Sequence, residues 1–291
     1  MLRDDTVHEE RIGARDLASW PTPVGRAVAR VAMVLGRRVV RLGRWSAAHV
    51  VLLLTALVGG LVVVALTAGT AEVYESVVEA DGLAGLDGPV LDAAVGWRSP
   101  GLNQAITLYT EVGGPIGMPV LALLATVLMV WRWRSRTPLL LMVIAAVGSL
   151  AMTITGKQLI GRARPPQSLA VPPYESSPSF PSGHTLNATV LTTVAVYLLL
   201  RRLDSTMART AAVVAGVLFV VTMGLTRVFL GHHWLTDVVA GWALGLAWAA
   251  VVVTAHRLYL TVRRDAPDGA ATPDGAATTD RAATTDRAAT T

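Results

Sequence analysis

The chain has 291 residues, 53% of them hydrophobic and only 15% charged, with a mean hydropathy of +0.51 and a net charge of +5. Apolar weight of this order, laid down in long uninterrupted runs, excludes an ordinary soluble globular protein and points to one membrane domain with polar ends. The absence of cysteine excludes disulfides, thiol chemistry and thiolate metal sites.

Lys157 is the only lysine, so the basicity is nearly all arginine. The arginines flank the apolar runs instead of clustering in a soluble domain, which speaks against a nucleic-acid partner and for loops beside anionic lipid. The first apolar run begins near Ser46, too far in for a cleaved leader. The bias toward arginine, alanine and valine suggests a GC-rich bacterial genome, hence a bacterial plasma membrane.

Residues 1 to 23 are polar and mixed, and read as flexible. From 24 to 45, Arg26, Arg30, Arg37, Arg41 and Arg44 recur at steps of three, four and seven, with Val24, Ala27, Val28, Val31, Leu35 and Leu42 mostly between them. That spacing predicts a basic amphipathic helix lying on the inner membrane surface. Six spans are predicted next, over about 47–67, 112–131, 137–156, 185–200, 210–226 and 238–255. Gly113, Gly114 and Pro115 are expected to bend the start of the second span.

The segments around 132–136, 201–209 and 263–264 are arginine-rich, as is the amino end. The 70–105 segment carries Glu72, Glu75, Glu79, Asp81, Asp87 and Asp92. These charges alternate correctly for six spans with both termini cytoplasmic and the acidic segment outside. From Asp268 a six-residue unit repeats as DGAATP, DGAATT, DRAATT, DRAATT. It holds no bulky apolar residue, so a disordered tail is expected. The expected organisation is a cytoplasmic segment over 1–46, a membrane domain over 47–258 and the tail over 259–291.

Three polar clusters break the apolar pattern, each at the predicted outer end of a span, where polar residues are costly and mark a site. In the first, Lys157 and Arg164 are seven apart, on one face of a helix that Pro165 and Pro166 should stop. Two such cations can hold a phosphate dianion. In the second, Pro181-Ser182-Gly183-His184, Ser182 is a candidate N-cap and Gly183 lets a backbone N–H approach an anion. His184 adds a group suited to proton transfer.

The third cluster is Thr226-Arg227 followed by Gly231-His232-His233-Trp234-Leu235-Thr236-Asp237. If the sixth helix starts before His233, Asp237 lies one turn on, holds one ring nitrogen and leaves the other to attack. Arg227 can grip phosphate oxygens bidentately. His232 lacks the four-residue spacing to Asp237 and reads as a surface or interface residue. A cation-lined pocket repels a metal and attracts an oxyanion, so neither metal nor other cofactor is expected.

In this order and spacing the three clusters resemble the type 2 phosphatidic acid phosphatase family, PAP2, which shares its core with vanadium haloperoxidases. The family pattern reads K, six residues, RP; then PSGH; then SR, five residues, H, three residues, D. Lys157 to Pro165, Pro181 to His184 and Thr226 to Asp237 match it, with Thr226 where the family usually has Ser. The motif core covers 157–237, and the spans extend the resemblance to about 47–255.

The resemblance implies an all-α, six-span bundle with a PAP2-like core. Lys157, Arg164, Ser182, Gly183 and Arg227 would bind the phosphate. His233 would be the nucleophile, Asp237 its orienting partner, and His184 the acid and then the base. The expected activity is metal-independent hydrolysis of a lipid phosphate or diphosphate on the extracytoplasmic face. Undecaprenyl diphosphate, phosphatidylglycerophosphate and phosphatidic acid all fit, with membrane lipids as surroundings and no obligate protein partner. A lipid phosphotransferase would use the same residues. A non-catalytic transporter or scaffold is the reading from another class, and six spans speak against a haloperoxidase.

Overall fold

A computed structural model describes residues 11–12, 15–16, 23–79 and 81–265. Eight α-helices carry this part of the chain: α1 Pro23–Glu79, α2 Asp87–Gly96, α3 Pro100–Thr110, α4 Gly117–Trp133, α5 Thr137–Ile160, α6 Gly183–Leu200, α7 Thr206–Phe229 and α8 Leu235–Asp265. Apart from a two-residue antiparallel ladder between Arg11–Ile12 and Arg15–Asp16, the described residues form helices and loops. The architecture is all-α, as expected.

Five helices are long and apolar enough to cross a membrane: Val50–Glu79 within α1, then α5, α6, α7 and Leu235–Arg263 within α8. Among the described residues a sixth candidate is the pair Pro100–Gly113 and Gly117–Trp133, which passes the same test only when taken together and is bent by 52°. The break falls at the expected Gly113-Gly114-Pro115. Close approach explains the glycines: a Cβ on Gly113 would lie 2.4 Å from the sulfur of Met223, and one on Gly117 would lie 2.1 Å from the carbonyl oxygen of Glu111. On the near side of the break, Ser99 caps α3 by accepting from the N–H of Leu102, and Pro100 occupies the first turn.

Two helices run across the expected domain boundaries. α1 runs without interruption through the expected boundary at 46/47 and past 67 to Glu79, because no proline interrupts it and the Gly59–Gly60 pair is tolerated inside a helix. The basic face expected at 24–45 and the repeat tail lie outside the residues whose side chains are described. α8 continues to Asp265, past the expected domain end at 258, since nothing before Pro267 breaks it.

α6 is the central helix. It has the largest buried share among the spans, 44% of its most apolar window, against 6% for α1. Leu186, Val190, Leu191, Val194 and Leu198 of α6 form the core with Met142 and Ala145 of α5, Met223 of α7 and Ala249 and Val252 of α8. α6 and α8 pack backbone to backbone. Gly241 and Gly245, one turn apart, face Thr185 and Thr189, and a Cβ on Gly245 would stand 2.7 Å from the Cβ of Thr189. Small residues at this spacing let membrane helices approach closely. The approach sets the start of α8 beside the start of α6, where Ser182 N–H donates to the carbonyl of Asp237 at 3.1 Å. The exposed leucines and valines of α1, α4, α5 and α7 face outward, toward lipid.

Candidate active site

Successive spans run in opposite directions, so the end of α5, the start of α6, the end of α7 and the start of α8 share one end of the bundle. All three sequence clusters come from these four places. The loop over 161–182 folds across them.

The first cluster is built differently from expectation. α5 ends at Ile160, not at the prolines, because Gly161 takes a left-handed conformation (φ +61°) and its N–H closes the last turn on the carbonyl of Lys157. Arg164 therefore leaves the helix. A shared serine still brings the two cations together. Lys157 Nζ donates to Ser177 Oγ at 3.0 Å and to the Pro178 carbonyl at 2.5 Å. Arg164 donates to Ser177 Oγ at 3.2 Å and, through Nε, to the Ser177 carbonyl at 2.6 Å.

Arg227 ends α7 almost fully buried, 1% exposed. Its Nη1 donates to Thr110 Oγ1 at 3.1 Å, and its Nη2 pairs with Glu175 Oε1. Arg164 Nη2 takes the other oxygen, Glu175 Oε2, at 2.7 Å. One carboxylate is thus clamped between two guanidinium groups, in the arrangement these cations would offer a phosphate. Burial alone would raise the pKa of Glu175, but Arg227 and then Arg164 outweigh it and hold the carboxyl at about 2.

His233 also departs from the expected local structure. α8 begins only at Leu235, and Gly231 (φ +70°) turns the chain just before it. His233 therefore precedes the helix and Asp237 sits in its first turn. The pair still meets: His233 Nδ1 faces Asp237 Oδ2 at 3.5 Å. Asp237 is fully buried and held on several sides. Its Oδ2 accepts from Ser179 Oγ at 2.5 Å and from the N–H of Trp234 at 2.9 Å, and its Oδ1 accepts from Arg162 Nη1 at 2.6 Å. The other ring nitrogen, His233 Nε2, lies 3.1 Å from Arg164 Nη1. Since an arginine can only donate, Nε2 is the acceptor and the ring proton sits on Nδ1, toward Asp237.

His184, Gly183, Lys157, Arg227, His232 and His233 line one cavity of about 920 Å³. Beyond this polar end the cavity descends between α4, α5 and α6 past Met142, Leu191 and Leu123 to Leu139. Lys157 and Leu139 bound it on α5, about 27 Å apart at the helical rise per residue. The polar residues thus sit at one end of the cavity and the apolar lining extends from them. Ser182 does occupy the N-cap of α6, but its hydroxyl accepts from Thr185 Oγ1 at 2.9 Å and caps no backbone N–H. Gly183, half-buried, lines the cavity at that turn. His232, expected as a surface or interface residue, is 4% exposed, because the Gly231 turn folds it inward.

Four residues of the site were not singled out from sequence. Glu175 is the only acid in the 165–181 loop, and a lone carboxylate between two anion-binding clusters was the available signal. Arg162 bridges Asp237 and Asp87, donating to Asp87 Oδ2 at 2.8 Å. Asp87 accepts the N–H of Thr236 at 2.9 Å and its hydroxyl at 2.7 Å, which fixes the start of α8. Thr110, across the broken span, supports Arg227.

A helical membrane bundle that gathers a histidine–aspartate pair and three cations at one end of its spans is the architecture of an integral membrane phosphatase. Comparisons with known proteins agree. The family model of the PAP2 superfamily matches residues 120–259. Phosphatidylglycerophosphatase B of Bacillus subtilis is 34% identical over 163 residues, covering 55% of this chain and 78% of that protein. An undecaprenyl-diphosphatase of Sulfolobus acidocaldarius is 31% identical over 150 residues, covering 50% of this chain and 66% of its own. The crystal structure of a transmembrane PAP2-type phosphatidylglycerolphosphate phosphatase from Bacillus subtilis superposes with a TM-score of 0.61 at 27% identity, covering 67% of this chain and 96% of that one. The chain belongs to the PAP2 superfamily.

Proposed function

We propose that this protein is a metal-independent phosphatase that hydrolyses a lipid phosphate or diphosphate through a phosphohistidine, at a site on the extracytoplasmic face. The observation that carries the reading is the convergence of His233, Asp237, Lys157, Arg164 and Arg227 around the head of a long apolar cavity. Relatives named as phosphatidylglycerophosphatase and undecaprenyl-diphosphatase support the substrate class.

In this mechanism the substrate phosphate displaces Glu175 and binds Lys157, Arg164, Arg227 and the Gly183 backbone. His233 Nε2 attacks phosphorus, forming a P–N bond while the P–O bond to the lipid breaks. His184 gives its proton to the departing oxygen. Water then attacks the phosphohistidine as His184 takes a proton from it, and the P–N bond breaks to release inorganic phosphate. Asp237 holds the Nδ1 proton throughout. The three cations balance the charge on the transferring group. The test is inorganic phosphate release by the purified protein from lipid monophosphates and diphosphates. Release from none of them by folded protein would rule the reading out.

Two further outcomes are expected. Glu175→Gln removes an internal competitor for the oxyanion seat, so inhibition by inorganic phosphate should tighten about tenfold, equivalent to about 1.4 kcal/mol. An unchanged inhibition constant would mean that phosphate does not use this seat. For topology, the cysteine-free chain allows single-cysteine labelling in intact cells. Gln167→Cys should react with an impermeant thiol reagent and Ser135→Cys should not. The opposite pattern would place the site on the cytoplasmic side.

A further inference from the structure

His232 is left unused by the mechanism above, yet it is 4% exposed and lines the same cavity. Its Nε2 lies 2.7 Å from the carbonyl oxygen of Val171. A carbonyl only accepts, so Nε2 carries the proton. Val171 is itself fixed, its N–H donating to the carbonyl of Leu230 at 2.8 Å. Burial first, and then Arg227, push the His232 pKa below its ordinary value, against the opposing pull of Val171 and Glu175. The ring is therefore neutral with a bare lone pair on Nδ1.

That lone pair has no hydrogen-bond partner among the described residues. Across from it, 3.9 Å away, stands Glu175 Oε1, another acceptor. A buried acceptor left unpaired costs about 1–3 kcal/mol. The nitrogen calls for a donor, and it calls for it beside the seat that Arg164 and Arg227 hold for an oxyanion. The ionised oxygens of a phosphate cannot supply one. A hydroxyl on the leaving group can.

We propose that His232 Nδ1 accepts a hydrogen bond from a hydroxyl on the substrate headgroup, one carbon beyond the phosphorylated carbon, and so selects a glycerol-phosphate headgroup over a plain alkyl or prenyl phosphate. The inference rests on the phosphatase reading. A vicinal hydroxyl lies close enough to the ester to span the short gap between the oxyanion seat and Nδ1, whereas a prenyl diphosphate presents there only the ionised oxygens of its second phosphate, which cannot donate, and a plain alkyl or prenyl monophosphate presents only carbon. The attack, the proton transfers and the bond changes stay as described. His232 adds one contact to the leaving group.

The test uses two lipids with identical acyl chains, phosphatidylglycerophosphate and its analogue with propanediol in place of the headgroup glycerol. The wild-type protein should show a kcat/KM about tenfold higher for the hydroxylated lipid, the worth of one hydrogen bond to a neutral acceptor. In His232→Gln, whose amide N–H still reaches the Val171 carbonyl, the ratio should fall toward one. Equal rates on the two lipids with wild-type protein would overturn the inference and leave the phosphatase reading standing. A preference that survives in His232→Gln would assign the hydroxyl to another group and overturn it as well. Phosphate release from neither lipid, nor from any lipid diphosphate, would overturn the phosphatase reading itself.

Discussion

Replacing His233 by alanine is expected to lower phosphate release by at least about a thousandfold, because the variant loses the atom that bonds to phosphorus. Among the described residues, Asp237 pairs with His233 and with neither His232 nor His184. Label trapped by an alkaline detergent quench should follow the same pattern: wild-type protein mixed briefly with radiolabelled lipid phosphate retains base-stable, acid-labile label and His233→Ala retains none. The pH dependence carries independent information. Burial drives the His233 pKa down to about 4, against the opposing hydrogen bond and charge of Asp237. The ring stays neutral, and able to attack, well below the usual histidine pKa of about 6.5. The acid limb that the nucleophile sets on kcat/KM should therefore lie near pH 4. Retention of a tenth of the wild-type rate by His233→Ala would remove it from the mechanism.

The second large effect is expected at Arg162. Its side chain is only 15% exposed and joins two buried carboxylates, Asp87 at 6% and Asp237 at 0%. Arg162→Met leaves both without their cation. Removing one partner of a buried ion pair costs about 3–5 kcal/mol, so the variant should unfold at clearly lower temperature in detergent. Whatever remains folded should turn over slowly, since Asp237 then lacks its support at Oδ1. Asp87→Asn added to Arg162→Met takes away one of the two stranded charges. The double variant should recover part of the lost thermal stability but little of the activity. Thermal unfolding and phosphate release, measured on the four proteins of the cycle, check both statements. Equal melting of Arg162→Met and wild type would show that the bridge contributes nothing.

Much of this was legible in the sequence. The spans were visible because lipid demands long apolar runs, and the broken span because Gly113, Gly114 and Pro115 interrupt one. Convergence of the three clusters at one end followed from alternating span direction. What escaped was local backbone. The stop at Gly161 hid behind the stronger proline signal at Pro165, so Arg164 was placed on a helix it does not share. His233 and Asp237 were expected to meet through helical spacing and instead meet across an N-terminal turn. Glu175, Arg162 and Asp87 were missed because their partners lie 52, 75 and 149 residues away in the chain. Arg162 gave a faint signal as a third cation at an end where base is disfavoured. His232 was misjudged because burial of a histidine after a glycine depends on the sign of one φ angle.

The clamped Glu175 bears on turnover. An anion entering the pocket evicts a tethered rival whose local concentration is set by the loop and not by the medium. Net charge at the membrane surface then changes little as substrate exchanges for carboxylate and carboxylate for product. In the proposed mechanism each cycle is an anion swap, and the returning side chain would help drive spent phosphate out. A site with enough positive charge to steady a pentacoordinate phosphorus would otherwise hold its product; in the proposed cycle the protein carries its own eluent.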